Sequence, residues 1–227
     1  EVMNNGTTGY GGVTYEYNIG KYEVTAGQYA EFLNAVAKTD PYGLYNTAMI
    51  DIMHSYGCNI HRSGSSGSYS YSVPSDYANR PVTHVGFWDA ARFSNWMHNG
   101  QGNGDTETGS YINVGNQNTF ARLPGATWVI PTEDEWYKAA YHKNDGVTGN
   151  YFDYPTSSDS MPGRDMTEAT NPGNNATYYI NGDDYTIGSP YWKTEVGEFE
   201  LSDSPYGTFD QGGNVHEWNE AVLYLSL

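Results

Sequence analysis

The sequence predicts an α+β fold in which a few short helices are set in turn-rich chain. Three observations predict it. Three segments carry apolar residues at helical spacing and are bounded by capping signals. Short alternating runs read as pieces of strand. The 27 glycines and 22 tyrosines among 227 residues point to an irregular globule buried by large amphipathic rings rather than by aliphatic side chains.

Residues 1–12, rich in Gly, Asn and Thr, read as a surface arm. In "VTYEYNIGKYEVT" (13–25) polar and apolar residues alternate around a glycine, which predicts two short strand pieces joined by a kink. At Thr25 the period changes. Thr25 and Gln28 form a capping box, and Tyr29, Phe32, Leu33 and Val36 follow on one stripe, so 26–37 is expected to be helix. Residues 38–80 are mostly loop, with a short hairpin expected at 68–73.

An extended "PVTHV" then leads into a second helix, with Ala90, Phe93, Trp96 and Met97 on one face and Asn99-Gly100 as its stop. After a polar loop, Thr132 and Glu135 cap a third helix. Its first-turn acids suit the helix dipole, and Trp136, Ala139 and Ala140 supply its inner face. From 144 to 205 the sequence is again turn-rich. No linker divides it and no repeat recurs, so a single domain over 13–227 is expected. So much loop needs aromatic packing, or a metal ion, to tie it down.

Acidic residues number 27 against 10 basic, for a net charge of −17. Such a surface repels phosphate backbones and anionic lipid, which argues against nucleic-acid and membrane partners. No apolar run reaches the length of a membrane span. One cysteine, Cys58, excludes an intrachain disulfide and a cysteine-built zinc site. A chain opening on Glu1 reads as processed, so a secreted or cell-surface protein with its signal peptide removed is expected. The sequons at Asn5 and Asn175 carry little weight.

Four segments together carry a family resemblance. They are Glu23-Val24-Thr25 with Tyr29 and Phe32; Pro81, Val82, Val85, Trp88, Asp89, Ala90 and Trp96; Arg122-Leu123-Pro124 with Pro131-Thr132-Glu133-Asp134-Glu135-Trp136; and Tyr206-Gly207, Asp210, Gly213-Asn214-Val215 and Glu217-Trp218. In this order, over nearly the whole sequence, they resemble the formylglycine-generating enzymes (sulfatase-modifying factor domains). The resemblance implies an elaborated C-type-lectin-like fold with a small antiparallel sheet, often calcium-stabilised.

In that family the last corner binds Ca²⁺. The residue chemistry agrees, because Ca²⁺ collects carboxylate and backbone carbonyl oxygens at tight turns. Asp210 and Glu217 would give side-chain oxygens, and Gly213 and Val215 their carbonyls. Asp210 stands where relatives often have Asn, and its charge should strengthen binding. The other reading is a hydrogen-bonded corner around a buried Trp218. A second, weaker calcium loop would use Asn175, Asp183 and Asp184.

Enzymatic members oxidise a cysteine to formylglycine with O₂ through two copper-binding thiols, which soft Cu(I) requires. In the family those thiols follow this corner, about where Leu227 ends the sequence, and Cys58 cannot replace them. No copper is therefore expected. The iron-binding branch of the family needs a histidine cluster, and the six histidines form none. "HEWNE" (216–220) lacks the second histidine of HExxH, so His216 reads as a surface residue. Neither a G-x-S-x-G elbow nor a P-loop is present.

Trp88, Trp96, Trp128, Trp136 and Trp218 are expected in the core. Trp192, beside Tyr191, is the candidate ligand contact. The resulting expectation is a non-catalytic extracellular binding or surface module. The alternatives are a sulfatase-modifying oxidoreductase whose cysteine-bearing part is missing, or a structural protein that self-assembles through its tyrosines.

Overall fold

The computed structural model describes residues 9–182 and 184–220. They form an α+β arrangement of four short helices, a 3₁₀ turn and three two-stranded antiparallel sheets. The strands thus form three separate pairs where one small sheet was expected. No helix among the described residues is long and apolar enough to cross a membrane. The protein divides into two compact units, one of residues 24–130 with 189–191, the other of the remaining described residues.

In the unit of residues 24–130, helix α1 (Ala26–Val36) begins as its capping box predicts. Thr25 Oγ1 accepts from the Gln28 amide at 3.2 Å, and Gln28 Oε1 accepts from the Thr25 amide at 2.9 Å. Tyr29, Phe32 and Leu33 are buried on its inner stripe, while Val36 is half-buried. Helix α3 (Phe87–His98) turns Phe93 and Trp96 onto that stripe, each ring centroid 5.3 Å from Phe32.

Strands β1 (His61–Ser63) and β2 (Ser70–Ser72) pair with His61 opposite Ser72. The hairpin expected at 68–73 therefore takes its first strand from further upstream, because 64–69 supply the turn. The 3₁₀ turn Thr47–Ile50 and the one-turn helix α2 (Ser75–Ala78) are too short to show a sequence period. Strands β3 (Tyr111–Ile112) and β4 (Ala121–Arg122) form the second pair.

Two helix asparagines close this unit. Asn34 donates to the Tyr71 carbonyl at 2.8 Å and accepts from the Tyr71 amide at 2.9 Å, fastening β2 to α1. Asn95, fully buried, accepts from the Tyr111 amide at 2.7 Å and donates to the Thr106 and Tyr111 carbonyls, fastening β3 to α3. Each carboxamide satisfies strand backbone groups that would otherwise be buried unpaired.

The other unit is built on helix α4 (Glu133–Tyr141), capped by Thr132 and Glu135. Tyr137, Ala139 and Ala140 are buried on its inner face and Trp136 is half-buried. The strand pieces expected in 13–25 do not form; the one bridge there joins Thr25 to Pro81. The alternation of tyrosines has a different cause. Tyr15 and Tyr17 donate their hydroxyls to the Glu135 carboxylate and carbonyl, at 2.8 and 2.6 Å. Lys138 Nζ donates to the Val13 carbonyl, and the Gly11 amide to Asp134. From Gly9 onward the expected arm is bound along α4, with Tyr10 against Tyr137.

A third hairpin pairs β5 (Tyr179–Ile180) with β6 (Asp184–Tyr185). Aromatic contacts, and turns closed by side-chain hydrogen bonds, hold much of the remaining loop. The tryptophan expectation holds for Trp96, which is 3% exposed, but not for Trp128 and Trp218, which are 53% and 51% exposed.

Candidate functional site

The stretch 206–220 folds as a corner within the α4 unit. The Phe209 amide donates to the Lys21 carbonyl at 3.0 Å, seating the corner on the segment that leads to Glu23. Gly213 has φ +157°, and a Cβ there would run into the Thr177 carbonyl, so only glycine lets the backbone pass. Asn214 follows in the left-handed region with φ 51°. Its amide donates to the Thr177 carbonyl at 2.8 Å, and its Oδ1 accepts from the Thr194 amide at 3.1 Å. Thr177 and Thr194 hydroxyls are 2.7 Å apart beneath it. Glu220 closes the corner by donating its amide to the Pro131 carbonyl at 2.9 Å.

Three carboxyl groups converge on this corner closely enough to act on one another. Asp210 Oδ2 accepts from the Gly197 amide at 2.6 Å; burial still raises its pKa, against that bond. Glu217 Oε2 accepts from the Trp136 indole N–H at 2.6 Å. Glu217 is an exposed residue, yet protein crowded around its carboxyl raises its pKa, and the Asp210 charge adds to the rise.

Glu23 is the third, and the sequence did not mark it as a site residue. Both its carboxyl oxygens are buried without a well-formed hydrogen bond, as is the Asn214 Nδ2. Burial, followed by the charges of Asp210 and Glu217, lifts the Glu23 pKa to about 9. A buried carboxylate so placed is strongly disfavoured, so the site calls for a proton or a cation.

The donor set fits a hard cation in kind. Asp210 Oδ1 and Glu217 Oε1 are left over from the bonds just described, and the Gly213 and Val215 carbonyls accept no hydrogen bond among the described residues. No group of three or more His, Cys, Asp and Glu side chains among the described residues is drawn together to hold a metal. A site here must rest on two carboxylates completed by carbonyl oxygens, which is chemistry that Ca²⁺ accepts. A cavity of about 10 Å³ beside Asp210, bounded also by Asn175, Phe199 and Phe209, has room for about one water molecule.

The weaker set is otherwise engaged. Asn175 is 1% exposed. Its Oδ1 accepts from the Asp165 amide at 3.0 Å, and its Nδ2 donates to the Thr170 and Asn171 carbonyls at 3.0 and 2.9 Å. Asp184 pairs with Arg164 at 2.7 Å, and Asp183 lies outside the described residues.

Tyr191 packs against Tyr77, lies under the Arg80 guanidinium at 3.9 Å and donates its hydroxyl to Asp76 at 3.1 Å. Trp192 is half-buried, edge-on to Tyr185 at 4.9 Å. His216 is exposed. Cys58 is fully buried beside α1, its thiol 3.9 Å from the Thr83 carbonyl.

Comparison with the curated proteins found no match, and neither did comparison with the solved structures. A family model described as "Sulfatase-modifying factor enzyme 1-like domain" matches residues 13–224, a span that takes in both units and the whole corner. The chain therefore belongs to the sulfatase-modifying factor enzyme 1-like domain family.

Proposed function

We propose that the protein is a non-catalytic, extracytoplasmic binding module on a C-type-lectin-like form of this family's scaffold, steadied by one Ca²⁺. The ion is held by Asp210 and Glu217 side chains with the Gly213 and Val215 carbonyls. The observation that supports this most directly is the crowding of acid at the corner. Burial and then the charges of Asp210 and Glu217 raise the Glu23 pKa, Asp210 adds to the rise at Glu217, and neither oxygen of Glu23 has a well-formed hydrogen bond. A divalent cation would relieve that repulsion, whereas an anionic ligand would worsen it.

The non-catalytic part of the reading rests on sulfur chemistry. The sequence holds one cysteine, and it is buried in the α1 core. A two-thiol copper centre cannot be assembled from these residues. The second reading is an oxidoreductase of this family whose thiols would lie in sequence beyond Leu227. The coding sequence past that point separates the two, because an in-frame cysteine pair revives the enzyme.

The calcium reading is tested by thermal melting. A ligand that binds only the folded state raises Tm by mass action. Added Ca²⁺ is expected to raise Tm and EDTA to lower it, and Asp210→Ala or Glu217→Ala should abolish both responses. Melting that ignores Ca²⁺ and EDTA alike would leave a purely hydrogen-bonded corner.

A further inference from the structure

We infer that Asn181 is a site of spontaneous covalent modification, converting to aspartyl and isoaspartyl forms while the protein stays folded. The sequence contains the Asn-Gly pair four times, at 5–6, 99–100, 103–104 and 181–182. The reaction is intramolecular. The backbone nitrogen of the glycine attacks the asparagine Cγ and forms a C–N bond. The Cγ–Nδ2 bond breaks, and the amide nitrogen leaves as ammonia, carrying the proton the backbone nitrogen gives up. Water then opens the ring at either carbonyl. Glycine allows the attack because no Cβ shields its amide. A folded protein blocks it by holding the carboxamide or by engaging the glycine N–H.

The structure sorts the three described pairs by those two criteria. Asn99 is held twice, donating to the Asp105 and Thr108 carbonyls at 2.8 Å each, and the Gly100 amide donates to the Met97 carbonyl at 3.2 Å. Asn103 is exposed, but the Gly104 amide donates to the Gln101 carbonyl at 3.2 Å, and Gly104 is packed against Gln101 and Asn99.

Asn181 is exposed and its carboxamide makes no hydrogen bond among the described residues. Among the described residues the Gly182 amide meets only the Tyr179 hydroxyl, a side-chain group, at 3.3 Å, and none of them beyond its chain neighbours lies within 4 Å of where a Gly182 Cβ would sit. The residues flanking this turn, Ile180 and Asp184, belong to a strand pair only two residues from end to end of each strand. Little cooperative structure therefore restrains the turn. The isoaspartyl product adds one backbone atom to this hairpin and a carboxylate to its tip.

The test is peptide mapping by mass spectrometry of protein aged in mildly alkaline buffer, folded and in urea. In urea the three pairs should convert at similar rates. Folded, Asn181 should keep most of its urea rate, Asn103 should be slowed, and Asn99 should be nearly silent. If Asn181 is protected as strongly as Asn99, or if Asn103 converts faster than Asn181 in the folded protein, the inference fails.

Discussion

Glu23 sets the pH response expected of the metal-free protein. Its carboxyl, ordinarily near 4.5, is lifted to about 9 by burial and then by Asp210 and Glu217. Between those values the folded protein holds a proton that the unfolded polypeptide has released. This group's contribution is therefore complete below about pH 4.5 and is lost as pH rises toward 9. The slope is at most about 1.4 kcal/mol per pH unit. In EDTA, Tm is expected to fall across that window, and Glu23→Gln, neutral at every pH, should flatten the fall. An equal slope in the variant would assign the loss to other groups.

Gly213 makes a second residue-scale prediction. A Cβ there meets the Thr177 carbonyl, so Gly213→Ala must displace the backbone that carries the corner. A loss of roughly 1–3 kcal/mol is expected from urea melts. Glu23 was hidden in the sequence because its neighbours in space lie near the other terminus. Nothing local in "KYEVT" distinguishes a buried acid from a solvated one, whereas Asp210, Gly213 and Glu217 share one short stretch whose turn residues show.

Among the elements, α1, α3 and α4 were legible because each presents an apolar stripe, with a start signal written in adjacent residues for α1 and α4 and a stop signal for α3. Thr25→Ala and Thr132→Ala each remove one bond of a reciprocal cap. Each should cost about 1 kcal/mol, read as a Tm decrease of roughly 2–4 °C for a protein of this size. Loss at only one cap would show that the other helix is held by packing alone.

The strands were mostly illegible, and their length explains it. A two-residue strand such as β3 or β5 cannot display alternation, and the placement of β3 is set by Asn95, which lies elsewhere in sequence. The alternation that does occur, in 13–25, comes from tyrosines reaching Glu135, which a period-two pattern cannot distinguish from a ladder.

At the scale of the whole molecule, 27 acidic residues face 10 basic ones, and several of those cations are already committed to aromatic faces or carboxylates. Self-repulsion therefore opposes the compact state and is screened by salt. In EDTA, raising monovalent salt is expected to raise Tm. A flat or falling response would mean that local ion pairs outweigh the net charge.

The bond from the Trp136 indole to Glu217 also makes the corner observable. Indole emission responds to the charge at its N–H, so Trp136 is a native optical probe seated on a proposed ligand of the ion. It would also serve as an antenna for a lanthanide placed in calcium's stead. Sensitised terbium luminescence that vanishes in Trp136→Phe would follow filling of the corner without any added label.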